Sequence, residues 1–486
     1  MTLINYKLVL LINSFSETEL EQFRKFISSP YFNKGRNYLP FLERILLLRN
    51  NNDSDEKTRI ISEIRSSLSL SDQTLRNRFS ELYKLGEDFL IHNSLSGNKT
   101  EKKKILLDKL LEKKLFTLFN INYKETSNYL SNKKFDTEVY SDLLSLKELH
   151  SKYLNEKNKA EHLYNEYYEY SKTSLCYYLL KLFEIGDEFK QQEIDDKKYS
   201  PNYVTDFLKE LNVKDMMKKF GSSNALIYKV TAMNYNLYKA LENVNEEKYY
   251  FDSYKIFKSI AKELSDSYKV NVFKILINYC IIKLNGGELK YRYELFDLFN
   301  NKLDQNLISD LKNNYYIFNP FRDYVYIGLV IKEFEWVENF INKYSSELPA
   351  DIRREESLLS YSKLDFERKS FRNSLNRLNG LKGSHYLLYL DISRFKLCNF
   401  YELKKFEEAI LEIDKQKHYL KYHKEIPVNR IAYNSNFLNI LKELIKLNTR
   451  PGKADTTSIE RDLEGYKLIS QKEWLKEKIA EIKQRK

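Results

Sequence analysis

A chain of 486 residues exceeds the size at which one hydrophobic core keeps growing, so it folds as several domains or as a stack of small units. Only 12 Gly and 7 Pro are present, which disfavours sheets joined by tight turns and favours helices with short connections. Aromatic residues make up 14% of the chain, which excludes disorder as its main state.

The net charge of +12 is the difference between 81 basic and 69 acidic residues, and it is a modest excess. A nucleic-acid-binding protein is expected to concentrate Lys and Arg on one face. Here basic and acidic residues are interleaved, as in KKFEEAILEIDKQK (404–417). We therefore expect nucleic acid to be a weak partner at most.

The three cysteines, Cys176, Cys280 and Cys398, have neither a paired spacing nor a neighbouring His, which predicts reduced, buried thiols. Near the N-terminus, the apolar run from Leu8 to Ile12 is shorter than the ~7–15 residues that a signal peptide needs. No stretch approaches the ~18 apolar residues of a membrane span. These observations predict a cytoplasmic protein with no membrane span.

Residues 1–98 are predicted to form an N-terminal helical module. Ser16 and Glu19 have the spacing of a capping box, and apolar residues follow at helical intervals. Further helices are predicted over Tyr38–Leu48, after the polar loop Asn50–Lys57, and over SDQTLRNRFSELYKLGEDFLI (71–91).

The last of these helices raises the alternative of a DNA-reading helix-turn-helix, in which Arg76 and Arg78 would be exposed. No wing strands follow it, and an ordinary amphipathic helix accounts for every apolar position. We favour the amphipathic helix.

Residues 99–319 are predicted to form an irregular helical-repeat region after a linker, SLSGNKTEKKK (94–104), whose side chains bury little. The predicted helices are Ile105–Phe119, Tyr123–Leu130, Val139–Tyr170 and Leu175–Phe189, with more running to Leu284. A break is expected at Asp195–Asn202 and a turn at Asn285-Gly286-Gly287.

Beyond Pro320 the apolar pattern becomes periodic. Three segments place an aromatic residue three positions before a small or β-branched one: EFEWVENFI (333–341), SFRNSLNRL (370–378) and KFEEAILEI (405–413). The smaller residues are Val337, Ser374 and Ala409, which are 37 and 35 positions apart. A period near the ~34 residues of a helix-turn-helix repeat predicts tetratricopeptide-like repeats over 320–456, followed by a C-terminal capping helix over 457–486.

Trp336 lies in the first of these segments, and two interpretations of it compete. A small residue where two helices cross lets their backbones approach, and neighbouring aromatic residues then pack along the contact. A platform for stacking bases or peptides would instead need exposed rings with cationic neighbours. Glutamates surround Trp336, so we favour packing.

The whole chain resembles an uncharacterised family of tetratricopeptide-like (TPR-like) helical proteins from the Bacteroidetes–Chlorobi group of bacteria. The resemblance rests on five segments: FRKFISSPYFN (23–33), SELYKLGEDFL (80–90), NYCIIKLNGGE (278–288), GLVIKEFEWVENFINKY (328–344) and FYELKKFE (400–407). It implies a helical-repeat fold and brings no known activity or site residues.

Motifs that carry catalysis or metal binding are missing from the sequence. Gly286-Gly287 lacks the Lys-Ser/Thr that follows a phosphate-binding loop. His418 and His423 are five residues apart, which places them on different faces of a helix. The carboxylate pairs Asp195-Asp196 and Glu407-Glu408 are adjacent and expected to be solvated. We therefore predict no catalytic residues, no metal site and no cofactor.

The sequence thus predicts an all-α protein, an α-solenoid of TPR-like helix hairpins with an N-terminal helical module. Stacked hairpins form extended binding surfaces, so we expect a non-enzymatic scaffold for a protein or peptide partner, with binding residues that the sequence does not identify. One alternative is a nucleic-acid-associated or regulatory protein that uses a basic N-terminal module. Another is an enzyme whose site is not visible in the sequence.

Overall fold

A computed structural model describes residues 4–49, 54–195, 203–220, 225–308, 320–383, 385–449 and 456–484. These residues are helical nearly throughout and contain no β-strand, which confirms the all-α prediction. None of their helices combines the length and the apolar composition needed to cross a membrane. The chain divides into two compact units, Met1–Tyr177 and Tyr178–Lys486.

The first unit is built from eight described helices and the start of a ninth. They are α1 (Ile4–Ser14), α2 (Glu17–Ser28), α3 (Leu39–Ile45), α4 (Ser54–Ser67), α5 (Asp72–Gly97), α6 (Lys99–Glu112), α7 (Phe116–Ser131), α8 (Thr137–Glu156) and α9 (Ala160–Asp195). α9 continues into the second unit, and a short 3₁₀ helix, Leu46–Leu48, follows α3.

The predicted capping box starts α2. The Ser16 hydroxyl accepts from the Glu19 N–H, and the Glu19 carboxylate accepts from the Ser16 N–H at 2.8 Å. The apolar face of α2 that follows packs with α1 and α5 around a ring cluster in which Phe15, Phe23 and Phe89 lie 5.3–5.5 Å apart. Residues 39–48 are helical, which confirms the helix predicted over 38–48 apart from its first residue, Tyr38. The predicted loop at 50–57 lies partly outside the described residues and partly in α4.

Three predictions of local structure in the first unit are wrong. Segment 94–104 is helical except at Asn98, whose side chain caps α6 by accepting from the Glu101 N–H, so no extended linker is present. The predicted helix 105–119 is interrupted at Lys113–Leu115, and the predicted helix 139–170 is interrupted at Lys157–Lys159. Lys114 and Asn158 adopt left-handed φ angles at these breaks, and neither position carries the glycine that would have signalled a turn.

The second unit contains the end of α9 and fifteen further described α-helices. They are α10 (Tyr203–Glu210), α11 (Val213–Phe220), α12 (Leu226–Glu242), α13 (Glu247–Ile260), α14 (Asp266–Asn285), α15 (Tyr291–Asp304), α16 (Pro320–Val330), α17 (Phe334–Tyr344), α18 (Ala350–Glu367), α19 (Phe371–Leu378), α20 (Tyr386–Glu402), α21 (Phe406–Tyr422), α22 (Val428–Thr449), α23 (Thr457–Gly465) and α24 (Lys472–Gln484). Segment 457–486 therefore contains two helices in place of the single one expected. The break predicted at Asp195–Asn202 lies almost entirely outside the described residues, and the turn at Gly286-Gly287 is present.

Three successive hairpins, α16–α17, α18–α19 and α20–α21, are closed by the same turn. A lysine in the left-handed region follows the first helix of each: Lys332, Lys369 and Lys404, with φ of 67°, 59° and 58°. In the first hairpin the Lys332 N–H donates to Leu329 O at 3.0 Å, and the next N–H donates to Gly328 O at 2.9 Å. These two bonds form a Schellman motif, which satisfies the last carbonyls of the helix.

The predicted packing residues lie where the helices of each hairpin meet. Val337, Ser374 and Ala409 are all fully buried. In the second hairpin the Ser374 hydroxyl donates to the Ser362 carbonyl at 2.8 Å, which joins α19 to α18. In the first hairpin a Cβ added at Gly328 would lie 2.5 Å from Val337 Cγ2, so only glycine fits there without displacing its neighbour. These contacts confirm that the three small or β-branched residues are packing positions.

We expect Ala409→Lys to destabilise the second unit by about 3 kcal/mol or more, because it forces a long charged side chain into a fully buried contact. Leu411→Lys on the same helix is the matched control, since Leu411 is 71% exposed. Urea denaturation followed by far-UV circular dichroism compares the two. Equal unfolding midpoints for the two variants would show that the contact at Ala409 is not close.

Candidate binding surface

The first helices of the three hairpins, α16, α18 and α20, pack side by side in that order. Each contributes ionisable side chains to one group, which we call the charged cluster. Its members are Arg322 on α16, Glu356 and Lys363 on α18, and Asp391 and Arg394 on α20. The ion pairs of this cluster connect the first helices of three consecutive hairpins.

Arg322 is the centre of the cluster. Its Nε donates to Glu356 Oε2 at 2.8 Å, one terminal nitrogen donates to Glu356 Oε1, and the other donates to Asp391 Oδ2 at 3.3 Å. The Glu356 side chain is only 1% exposed. A bidentate guanidinium is the partner best suited to a carboxylate that has lost its hydration.

Asp391 is bound by three cations. It accepts from an Arg394 terminal nitrogen and from Arg322, and Lys363 Nζ lies 3.9 Å from its Oδ2. Burial alone would raise the pKa of Asp391, but Arg394, Lys363 and Arg322 together hold it well below its usual range. The carboxylate therefore stays ionised at neutral pH.

One donor of the cluster is buried without a hydrogen-bond partner among the described residues, and a second lies beyond hydrogen-bond distance of its carboxylate. Arg394 Nε is buried without a hydrogen-bond partner among them, and the 3.9 Å between Lys363 Nζ and Asp391 exceeds a hydrogen bond. Burial lowers the pKa of Lys363, and the positive charges of Arg322 and Arg394 lower it further. Buried donors of this kind are normally satisfied by water or by a ligand.

Exposed residues of α16 border the charged cluster. Asp323 is exposed to solvent, yet loss of hydration raises its pKa to about 6, against the opposing effect of Arg322 and Lys363. Tyr326 is 66% exposed, and its pKa is raised first by loss of hydration and then by the Tyr433 phenol of α22.

Aromatic side chains of α20 and α21 form a second stacked group. Tyr419 stacks with both Tyr389 and His423, and its ring centroid lies 3.8 Å from the centroid of each. His418 instead contacts Tyr422, with tilted rings whose centroids are 4.3 Å apart. The two histidines thus belong to separate stacks, and the described residues contain no group of three or more His, Cys, Asp or Glu that could hold a metal ion.

Trp336 is used in packing. Its Nε1 donates to Asn300 Oδ1 at 2.8 Å, and its ring lies 4.8 Å from Phe296 and 5.3 Å from Phe340. The ring is half-buried. These contacts agree with the packing interpretation.

The remaining predicted candidates lie apart from one another. Cys176, Cys280 and Cys398 are free and buried, as predicted. Glu407 and Glu408 are exposed at the start of α21, Arg76 is exposed and Arg78 is half-buried on α5, and the side chains of Asp195 and Asp196 fall outside the described ones. None of these residues belongs to the charged cluster.

The charged cluster itself was missed in the sequence. A signal for it exists, because Arg322, Glu356 and Asp391 are 34 and 35 positions apart, close to the spacing of the packing residues. Alignment of the three segments would therefore have placed these charges on corresponding parts of successive first helices.

Comparison of the chain with protein-family models, with curated proteins and with solved structures found no match.

Replacing the central arginine should reveal what the cluster contributes to stability. We expect Arg322→Met to lower the free energy of unfolding by about 3–5 kcal/mol, because it leaves the buried Glu356 carboxylate unpaired. Arg368→Met is the control, since Arg368 pairs with the more exposed Glu338 and should cost below about 1 kcal/mol. Urea denaturation measures both, and similar losses would contradict a structural role of the cluster.

Asp323 should make stability depend on pH. Its pKa of about 6 in the folded protein lies above the ordinary 3.8, so the folded state holds the proton more tightly and loses stability as pH rises from about 4 to above 6. We expect Asp323→Asn to match the parent protein near pH 4 and to melt at a higher temperature at pH 8. Asp414→Asn, at an exposed position of α21, controls for the loss of one negative charge. A melting difference that is the same at both pH values would contradict this assignment.

Proposed function

We propose that this protein is a non-enzymatic scaffold that binds a protein or peptide partner, and that residues 320–456 form part of an α-solenoid of TPR-like helix hairpins. The resemblance to TPR-like proteins of the Bacteroidetes–Chlorobi group remains part of this proposal. Repeated construction supports it, because three successive hairpins share the left-handed turn, the buried contact between their helices and the charged links between their first helices. Stacked hairpins of this type present a continuous groove.

The observation that carries the proposal is the exposed surface of α16 beside the charged cluster. Tyr326 of α16 is exposed, and Tyr433 of α22 lies close enough to raise its pKa although five helices separate α16 from α22 in the chain. A surface that curves from α16 to α22 accounts for this proximity. Tyr is favoured at protein interfaces because it combines a large apolar ring with a hydroxyl.

The charges of this surface fit a polypeptide better than a nucleic acid. Arg322, Lys363 and Arg394 are each next to a carboxylate of the cluster, so a phosphate backbone would meet acidic groups as well as basic ones. A peptide carries both signs of charge and can match such a surface.

The alternative of a basic N-terminal module receives little support from the charge count. Residues 1–98 contain 13 Lys and Arg against 12 Asp and Glu, so this segment is nearly neutral. The alternative of an enzyme rests on no particular constellation of described residues. The nucleic-acid alternative is an outcome of the experiments below.

Affinity capture from the native cells tests the scaffold, with nuclease treatment and at ~50 and ~200 mM salt. We expect captured proteins to persist through both conditions, because apolar and hydrogen-bonded contacts depend little on salt. Tyr326→Ala should lose them, whereas Tyr293→Ala, at a position 63% exposed on α15, should keep them.

Titration with a random DNA duplex and a single strand tests the nucleic-acid alternative. Backbone attraction alone should give dissociation constants of roughly 10⁻⁴–10⁻⁶ M that weaken steeply with salt. Tight, sequence-dependent binding at physiological salt that Arg76→Gln abolishes would overturn the scaffold in favour of a regulator.

A further inference from the structure

Half of the net positive charge of the chain lies in one hairpin, α6–α7. Residues 99–134 contain 10 Lys against 4 Asp and Glu, which is a net charge of +6 out of the +12 of the whole chain. Both helices belong to the first compact unit and pack against each other. A local excess of one sign of charge attracts partners of the opposite sign.

The lysines of α6 form a stripe on its exposed side. Its members follow one another at steps of three and four residues: Lys99, Lys102, Leu106, Lys109 and Lys113. All five are exposed, and at 1.5 Å per residue the stripe is about 21 Å long. The opposite side of α6 buries Leu107 and Leu110 in a core shared with α7 and α8. The stripe therefore takes no part in that core.

Carboxylates balance only part of this charge. Among the described residues, three of the ten lysines form ion pairs with carboxylates: Lys103 with Glu125, Lys104 with Glu101 and Asp142, and Lys109 with Glu112. Lys102 Nζ donates to the Ser96 carbonyl at 2.9 Å, and this neutral acceptor leaves the lysine charge unbalanced. Most of the positive charge of the hairpin is thus available to an anionic partner.

Exposed apolar side chains of α7 lie beside the stripe. Lys99 Nζ is 4.8 Å from the ring centroid of Tyr129, which brings this ring next to α6, and Lys133 Nζ is 4.6 Å from the same centroid. Leu118 and Ile121 precede Tyr129 by 11 and 8 residues, a spacing that places all three on one side of α7. They are 48% and 58% exposed. We call the stripe, together with Leu118, Ile121, Tyr129 and Lys133, the basic face.

The composition of the basic face indicates which anionic partner it fits. Proteins that bind nucleic acid strands place aromatic rings or Arg against the bases, whereas Leu and Ile offer no stacking surface. The boundary of a lipid bilayer accepts aliphatic side chains, and its anionic headgroups attract Lys. Tyr is enriched at that boundary because its ring is apolar and its hydroxyl is polar.

We propose that the basic face binds the surface of a lipid bilayer that contains anionic lipid. Leu106, Leu118 and Ile121 enter the boundary between headgroups and acyl chains, and the lysines contact the headgroups with their charged ends. The helices α6 and α7 lie on the bilayer and do not cross it. This proposal does not depend on the polypeptide partner proposed for the surface around Tyr326.

Vesicle flotation of the full chain tests the proposal, with phosphatidylcholine vesicles that contain either no phosphatidylserine or about 30 mol% of it. We expect binding only to the anionic vesicles, and weaker binding at ~500 mM than at ~100 mM salt, because salt screens the attraction. The double variant Lys102→Gln, Lys113→Gln should weaken binding roughly 25-fold. The control Lys25→Gln, Lys84→Gln removes the same charge from exposed positions of α2 and α5 and should bind as the parent does. Equal losses in both double variants, or no binding to anionic vesicles, overturn the proposal.

Tryptophan fluorescence tests whether the apolar side chains enter the bilayer. Leu118→Trp should shift its emission to shorter wavelength when anionic vesicles are added, since the indole moves from water into the headgroup boundary. Leu47→Trp, at a position 64% exposed in the 3₁₀ helix after α3, should not shift. The parent chain, which carries Trp336 and Trp474, supplies the baseline. An unchanged Leu118→Trp spectrum on vesicles that have bound the protein would contradict the proposed orientation.

A parallel titration with a random DNA duplex separates lipid from nucleic acid. Leu118→Ser should weaken vesicle binding roughly fivefold or more, because an apolar side chain no longer leaves water, and should leave DNA binding unchanged. Leu47→Ser is the matched control and should change neither. Far-UV circular dichroism verifies that each variant folds. DNA binding tighter than vesicle binding, with Leu118→Ser affecting neither, would overturn the proposal in favour of a nucleic-acid surface.

Discussion

The close approach of the two helices within each hairpin is the constraint on which the C-terminal half of the second unit depends. It is met differently each time: by Gly328 against Val337, by Ser362 hydrogen-bonded to Ser374, and by the fully buried Ala409. Glycine, a pair of serines and alanine are all small enough for two helix backbones to approach each other closely. The first helices of these hairpins, α16, α18 and α20, also pack on one another, and the ion pairs of the charged cluster join them.

The charged cluster constrains how the three hairpins stack on one another. Removing carboxylates and guanidinium groups from water is costly, and their mutual attraction roughly offsets that cost only when the geometry is good. Arg322 must meet a carboxylate one hairpin away and another two hairpins away. An arrangement shifted by one helical turn would leave Glu356 buried and unpaired. We therefore regard the cluster as a device that selects one register of the stack, in addition to bordering the surface where a partner is proposed to bind.

The sequence predicted what local spacing determines and missed what distant residues determine. The capping box at Ser16 follows from four adjacent residues, and the packing roles of Val337, Ser374 and Ala409 follow from a short apolar pattern that recurs after 37 and 35 positions. The breaks at Lys113–Leu115 and Lys157–Lys159 were missed because Lys and Leu favour helices and no glycine or proline marks the turns. The cluster was missed because the repeat was traced only through apolar and small residues, whereas the ion pairs join charged residues 34 and 69 positions apart.

The lysines in the left-handed turns bear on how the stability of this protein can change. A residue with a Cβ is strained by about 1 kcal/mol or more in that conformation, whereas glycine adopts it readily. Lys332, Lys369 and Lys404 close three consecutive hairpins in this way, and Lys114 closes an earlier one. Strain at four separate turns means that the fold sits below the stability its architecture allows. Its evolution toward a hotter environment would therefore not require any change in the core, since exchanges to glycine at surface turns alone would raise the thermal limit.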